Sequence, residues 1–369
     1  MTDQTRIPGA PADVLLRPHV ADLDVYLPGA STGVPEGVPI VKLSSNEGAE
    51  GPLPAALAAM ASAAAGLNRY PDAQDLVRAL AVAHDLPPEM VTVGPGADML
   101  IQYLASAFLD ADRDVVFAWP AFVSYALTAQ KQGARATMVP LEGDVHDLDA
   151  MLAAITDRTA LVYVCNPNNP TGTYVTRDAL RAFVDALPEH VVCVVDEAYA
   201  EYVLEDDYPD VLAEYVRAGH PRVAVLHTFS KIHGLAGLRV GWMAAPAWLV
   251  DASLRVRGPF DVGSAGLAAA LASVGEDAEV RERAEANRRR REALQARLAV
   301  AGIEATGVAN FLTVRVPDAQ AATQALMERG VIVRPLNAFG SPTQIRITIG
   351  SDEDMAIAEP IIADVLGAA

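Results

Sequence analysis

Between residues 90 and 245, short apolar runs rich in β-branched side chains alternate with longer stretches of helical period. The strand candidates are Met90–Val93, Asp114–Ala118, Ala136–Val139, Ala160–Cys165, Val191–Val195, Val223–His227 and Val240–Ala244. Helix candidates fill the intervals at Asp98–Phe108, Ala121–Gln132, Leu148–Ile155 and Arg177–Leu187. Runs such as LVYVC and VVCVV show no polar alternation, so both faces of these strands must be covered. Strand and helix alternating in this way predict an α/β fold, a mostly parallel central sheet flanked by helices. Upstream, PAALAAMASAAAG at 54–66 reads as an alanine-rich helix with Gly66 at its C-cap.

The pattern changes after residue 255. A long charged helix is expected over Asp277–Ala299, where Glu282, Glu285, Arg289 and Glu292 alternate in sign around the run Arg288–Arg291. Such a face reads as solvated and laced with ion pairs. Shorter strands follow at Phe311–Val316, Gly330–Val333 and Ile345–Ile349, around a helix at Ala319–Arg329. Residues 1–40 are rich in Pro and Gly, with one short helical stretch within Val14–Tyr26. The expected division is an N-terminal arm over 1–45 that touches the small domain and a partner subunit, a large domain over 46–255, and a smaller α+β C-terminal domain over 256–369.

Charge narrows the function. The chain carries 28 Lys+Arg against 47 Asp+Glu, a formal net charge of −19. A nucleic-acid partner needs a concentrated basic face, so none is expected. An anionic substrate must instead be captured by local arginines against an unfavourable average field. No apolar run of about 18 residues is present, and MTDQTRIPGAPAD lacks the pattern of a signal peptide, so no membrane partner and a cytoplasmic location are expected. Two cysteines, Cys165 and Cys193, sit in apolar runs and read as buried and reduced.

Three segments place unusual residues at the ends of predicted strands. NPNNPTGT (166–173) follows ALVYVC and presents Asn169 at the carboxyl edge of the sheet, where open α/β sheets bind ligands. DEAY (196–199) follows VVCVV, and an acid there is costly without a cationic partner. No second ligand lies at metal-binding spacing, so that partner is expected to be a protonated nitrogen and not a metal. TFSKIHGLAGLRVG (228–241) offers Thr228, Ser230, Lys231 and Arg239 among glycines, which suits a phosphate held beside a reactive amine.

Together these segments resemble the pyridoxal-phosphate enzymes of fold type I, in the class I/II aminotransferase superfamily. SSNE (44–47), RYPD (69–72), GPGAD (94–98), HDLDAMLAAI (146–155) and VIVRPLNAFGSPTQIRITIG (331–350) are similar to the histidinol-phosphate aminotransferase family. The resemblance covers nearly the whole chain. It implies the cofactor pyridoxal 5′-phosphate and a homodimer whose subunits share active sites. It makes Lys231 the lysine that bonds to the cofactor and carries the proton, and Asp196 the acid that keeps the pyridine nitrogen protonated. Asn169 and Tyr199 then donate to the phenolic oxygen, and Phe122 stacks on the ring. The backbone of Ala97 and Asp98, with Thr228, Ser230 and Arg239, cups the phosphate. Tyr70 reaches that phosphate from the neighbouring subunit. For the substrate, Arg346 clamps the α-carboxylate with Asn46 nearby, Arg334 takes the substrate's own phosphate, and Tyr26 forms a pocket wall.

The implied reaction is ping-pong transamination between histidinol phosphate and 2-oxoglutarate. An aromatic amino-acid aminotransferase, which needs an apolar pocket and no phosphate site, is the alternative. A phosphothreonine decarboxylase or a cofactor-binding regulator is weaker still, the latter because the arm is too short for a DNA-binding domain. Four positions depart from the family pattern close to the expected pocket: Gly48, Met99, His233 and Asp261.

Overall fold

The computed structural model describes residues 17–21, 23 and 33–367. Tyr26 therefore lies outside the described residues, and of the arm's helical stretch only the turn Pro18–Ala21 is described. The first strand, β1 (Val41–Lys42), is short. Seven strands follow: β2 (Val91–Gly94), β3 (Asp114–Trp119), β4 (Ala136–Pro140), β5 (Thr159–Cys165), β6 (Val192–Asp196), β7 (Val223–Thr228) and β8 (Gly241–Ala244). They form one sheet in the order β2-β8-β7-β6-β5-β3-β4. All pairings among β3 to β7 are parallel, and β8 runs antiparallel to both its neighbours.

Six of the seven strands bury both faces, as their apolar runs require, whereas the edge strand β4 leaves Met138 exposed. Val116, Val162, Val164 and Val195 pack with Leu180, Phe183 and Val184 of the helix Arg177–Ala186. Val115, Phe117, Leu161, Tyr163 and Val194 pack on the other side with Leu100, Ile101 and Leu104 of the helix Gly96–Phe108. Burying each such side chain contributes about 1.5–3 kcal/mol, so the carboxyl edge of the sheet is anchored from both sides.

The later strands are β9 (Ala305–Thr306), β10 (Phe311–Arg315), β11 (Val331–Ile332), β12 (Arg334–Pro335) and β13 (Gln344–Thr348). Four of them make an antiparallel sheet, β12-β13-β10-β9. The strand expected at Gly330–Val333 is divided. Its first half, β11, pairs in parallel with β1, and the chain then crosses to the second sheet as β12. Gly330 makes the first pairing possible: its φ is +91°, and a Cβ there would lie 2.1 Å from the Pro39 carbonyl oxygen.

Two further expectations need correction. Gly66 is not a left-handed cap; the helix Pro54–Ala63 tightens into a 3-10 turn, Ala64–Gly66, after an ordinary right-handed Ala64. The long helix, Asp277–Val300, is not solvated around its charged circumference. Arg283 and Arg291 are buried and donate to backbone carbonyls, Arg283 to Gly51 and Ile232 and Arg291 to Val308, which have no strand partner for that role. Ion pairs occupy the rest, including Arg290 with Glu50 and Asp352 at 2.7 Å each. Helices at Gln74–Ala83, Ala247–Val256, Ser264–Ser273 and Asp352–Gly367 complete the covering layers. No helix among the described residues is long and apolar enough to cross a membrane.

Candidate active site

Asp196 ends β6 at the carboxyl edge of the large sheet and is only 2% exposed. Its Oδ2 accepts the Tyr125 hydroxyl at 2.7 Å, and its Oδ1 accepts the Ala198 N–H at 3.2 Å. It makes no ion pair among the described residues, and burial pushes its carboxyl above the usual range. Such a carboxylate calls for a cation from outside the chain. Tyr125 is held in turn by stacking on Tyr163, centroid to centroid 4.5 Å.

The loop after β5 is tied by its own asparagines. Asn166 exchanges two hydrogen bonds with the backbone of Val175, while Asn168 Nδ2 donates to the Pro120 carbonyl and to Thr171 Oγ1. These bonds fix Asn169 between them. Its Oδ1 accepts Nη1 of Arg346 at 2.5 Å, which leaves the amide NH2 as the end able to donate into the cavity. Tyr199 follows Asp196 closely, and its hydroxyl oxygen accepts Asn46 Nδ2 at 3.1 Å.

Lys231 lies in the turn after β7, where the Ser230 N–H donates to Thr228 Oγ1 at 3.0 Å. Its Nζ stands 5.3 Å from the Tyr199 ring centroid and forms no ion pair among the described residues. Burial, with the guanidinium groups of Arg346 and Arg239, lowers the amine from about 10.5 to about 8. Roughly a tenth of it is thus the nucleophilic free base at pH 7, far more than an ordinary lysine offers.

A cationic end faces this acid. The helix Gly96–Phe108 opens with Gly96 at φ +76°, where a Cβ would lie 2.7 Å from Arg239 Nη2. Gly241 is equally required, since a Cβ there would lie 2.4 Å from the Ala97 nitrogen. Arg239, itself left-handed at φ 54°, donates to Ala236 O at 3.1 Å and Ser230 Oγ at 3.4 Å, with no carboxylate partner among the described residues. A helix N-terminus, hydroxyls and an uncompensated guanidinium together make an anion site. Ala97, Asp98, Phe122, Asn169, Asp196, Tyr199, Thr228, Ser230, Lys231 and Arg239 thus line one cavity, joined by Cys165 and Ala198. Its donor set fits a planar group with a phosphate at one end and a protonated ring nitrogen at the other.

A second cavity shares Phe122, Asn169, Tyr199 and Lys231 and adds Ser44, Ser45, Asn46, Val123, Arg334, Phe339 and Arg346. Arg346 is buried, donates Nη2 to the Ser44 carbonyl at 3.0 Å, and lies 5.4 Å from the Phe311 ring centroid. Arg334 on β12 is directly opposite Arg346 on β13, so the two project from the same face of the sheet. Arg334 has no ion-pair partner among the described residues. Asn46 takes φ 51° so that its N–H reaches Thr348 Oγ1 at 2.9 Å while its side chain turns to Tyr199. Tyr70 is not brought to either cavity: it is 81% exposed and stacks on Phe260 at 4.5 Å. Tyr125, Phe339 and the Ser44 carbonyl received no role in the sequence reading. Tyr125 had a signal, a tyrosine one helical turn beyond Phe122 in PAFVSY, and Ser44 and Phe339 lie within the segments SSNE and VIVRPLNAFGSPTQIRITIG that carry the family resemblance.

The model of the family described as "Aminotransferase class I and II" matches residues 38–359. The chain belongs to that family. Its activity class is pyridoxal-phosphate-dependent transamination. Among curated relatives of this aminotransferase, an aromatic amino acid aminotransferase of Thermobifida fusca is 42% identical, over 92% of this chain and 94% of that protein. A histidinol-phosphate aminotransferase of Rhodopseudomonas palustris is 38% identical, over 95% and 98%. The crystal structure of histidinol-phosphate aminotransferase from Sinorhizobium meliloti, in complex with pyridoxal-5′-phosphate, aligns with a TM-score of 0.85 at 26% identity, over 98% of this chain and 99% of that one.

Proposed function

We propose that this aminotransferase moves the amino group of L-histidinol phosphate to 2-oxoglutarate, giving imidazole-acetol phosphate and glutamate by a ping-pong route. The observation that carries the proposal is the pair of guanidiniums at Arg334 and Arg346, opposed across two strands, with no carboxylate paired to Arg334 among the described residues. Like charges set side by side are unfavourable unless an anion joins them. Histidinol phosphate carries a phosphate where an amino acid carries its carboxylate, and a dianion suits two arginines. The two carboxylates of 2-oxoglutarate address the same pair.

Pyridoxal 5′-phosphate, when bound, supplies an electron-accepting ring conjugated to the reacting carbon. Asp196 would pair with the ring N–H, and the bonds from Tyr125 and Ala198 aim that carboxylate and oppose the rise that burial causes. Asn169 donates its amide NH2, and Tyr199 its hydroxyl proton, toward the phenolic oxygen. Phe122, which lines the same cavity, would pack on the ring. The N-terminal N–H groups at Ala97 and Asp98, with Thr228, Ser230 and Arg239, hold the phosphate. Lys231, with its amine in the same cavity and lowered to about 8, would be the group that holds the cofactor and, once free, moves a proton to or from the substrate Cα. Arg346, braced by Asn169 and Ser44, fixes the donor's anionic group, with Asn46 holding Tyr199 beside it. The enzyme is proposed to act in the cytoplasm as a homodimer, and the exposed Tyr70–Phe260 stack supports the dimer alone, with Tyr70 completing the neighbouring subunit's phosphate site.

A second reading, transamination of phenylalanine or tyrosine, is favoured by the apolar side chains Phe122, Val123 and Phe339 in the substrate cavity. Comparing kcat/KM for L-histidinol phosphate, phenylalanine and tyrosine, each with 2-oxoglutarate, separates the two. A preference of about a hundredfold for histidinol phosphate, roughly 2.7 kcal/mol in transition-state binding, is the result expected. Equal or better rates with phenylalanine overturn the first reading in favour of the second.

A further inference from the structure

We infer that Phe339 determines specificity for ring-bearing donors, and that Trp119 is the positioning residue that holds its ring in the substrate cavity. The inference rests on the proposed transamination and extends it to the donor's side chain. Phe339 closes the short 3-10 turn Asn337–Phe339, which follows β12 and therefore follows Arg334. The turn is pinned on both sides. The Leu336 N–H donates to the Gln344 carbonyl at 3.0 Å, the Ser341 N–H returns to the Leu336 carbonyl at 3.1 Å, and Gly340 is left-handed at φ +78°. The Phe339 ring is thereby fixed relative to both Arg334 and Arg346.

Phe339 is buried, yet it lines the same cavity as the two arginines and Lys231. Its ring stacks on Trp119, with centroids 6.0 Å apart and planes 25° from parallel. Trp119 is the last residue of β3 in the large sheet, whereas Phe339 belongs to the chain between β12 and β13 of the second. The stack thus crosses between the two sheets at the substrate cavity.

The chemistry of a donor divides among these residues. Its anionic group goes to the arginines, and its amine goes toward Lys231. The remaining part is a flat imidazole or phenyl ring, which gains from an aromatic face at stacking distance. Glutamate, the donor of the opposite half-reaction, has no ring and presents a second carboxylate instead. A wall built for rings therefore acts on one half-reaction far more than on the other.

The test is a set of single-turnover half-reactions with the holoenzyme of Phe339→Ala, Phe339→Tyr and Trp119→Leu. The donors are L-histidinol phosphate, L-phenylalanine and L-glutamate, followed by the cofactor's absorbance. In Phe339→Ala the ratio of ring-donor to glutamate kcat/KM is expected to fall at least tenfold, mainly through KM. Phe339→Tyr, which keeps the face, is expected to restore most of that ratio. Trp119→Leu is expected to lower it by a smaller factor. Equal losses for all three donors, or an unchanged ratio, overturn the inference, because packing alone would then account for Phe339. A wild-type enzyme that turns over glutamate but neither ring donor overturns the proposed function as well, and that result precedes any variant.

Discussion

The hydroxyl of Tyr125 is the most economical place to test the acid at the heart of the site. Asp196 is almost wholly buried and has two protein donors, Tyr125 at 2.7 Å and the Ala198 N–H at 3.2 Å. Burial already raises its carboxyl, and the Tyr125 bond opposes that rise. The phenol stays neutral over the working range, since burial and Asp196 push it well above its ordinary value, so it is always a donor. Tyr125→Phe removes that donor and keeps the ring that stacks on Tyr163 at 4.5 Å. A hydrogen bond to a charged group contributes about 1.5–3 kcal/mol, which corresponds to roughly a 10- to 150-fold change in an equilibrium that depends on it. Two readouts follow. Titration of the apoenzyme with pyridoxal 5′-phosphate is expected to show weaker binding within that range, with kcat reduced alongside. The carboxyl of the variant sits higher, so its charged form is lost earlier as the pH falls, and the acid limb of the pH–rate profile moves toward higher pH. Wild-type affinity together with an unmoved acid limb would refute the assignment of Tyr125 as the support of Asp196.

Lys231, lowered to about 8, makes a pH prediction of opposite sign. Its reactive free base gains population as pH rises, so the rate of cofactor capture by the apoenzyme is expected to climb through a midpoint near 8 and then level. A rise continuing toward 10.5 would mean that neither burial nor the two arginines acts on the amine. Gly48→Ala places a Cβ 2.4 Å from the Lys231 carbonyl oxygen, so a backbone segment must move. Overpacking of this kind costs about 1–3 kcal/mol; a lower Tm with reduced kcat/KM is expected, and a variant matching wild type in both would show that the approach is not constrained.

The parts of the fold that could be read from the chain are those where one strand's own residues decide the outcome. VVCVV and LVYVC are buried on both faces because nothing in them is polar, and the residues that follow, Asp196 and Asn169, fall at the carboxyl edge as a consequence. What escaped depends on partners far away in sequence. Arg283 and Arg291 occupy a helix whose charge pattern reads as solvated, yet the unclaimed carbonyls of Gly51, Ile232 and Val308 draw them inward. The division of Gly330–Val333 into β11 and β12 is decided by β1, which arrives from the other end of the chain. Phe339 is likewise an ordinary loop aromatic until the turn carries it to Trp119.

The four departures from the family pattern can be weighed by where they lie, and none of them lines either cavity. Gly48 lets the segment bearing Asn46 rest on the Lys231 carbonyl. Met99 packs on the apolar layer beneath the helix that begins at Gly96. His233 tilts against Phe229 at 4.9 Å, and burial keeps it near 4 and therefore neutral at pH 7. Asp261 accepts the Tyr103 hydroxyl at 2.5 Å and Arg257 Nε at 2.8 Å, and so fixes the backbone beside Phe260, the stacking partner of Tyr70. Each of these contacts sets a backbone or a neighbouring ring and touches no part of the donor. A difference in substrate within this scaffold therefore has to come from the cavity itself: from how far Arg334 shares an anion with Arg346, and from the ring that Phe339 presents beside them.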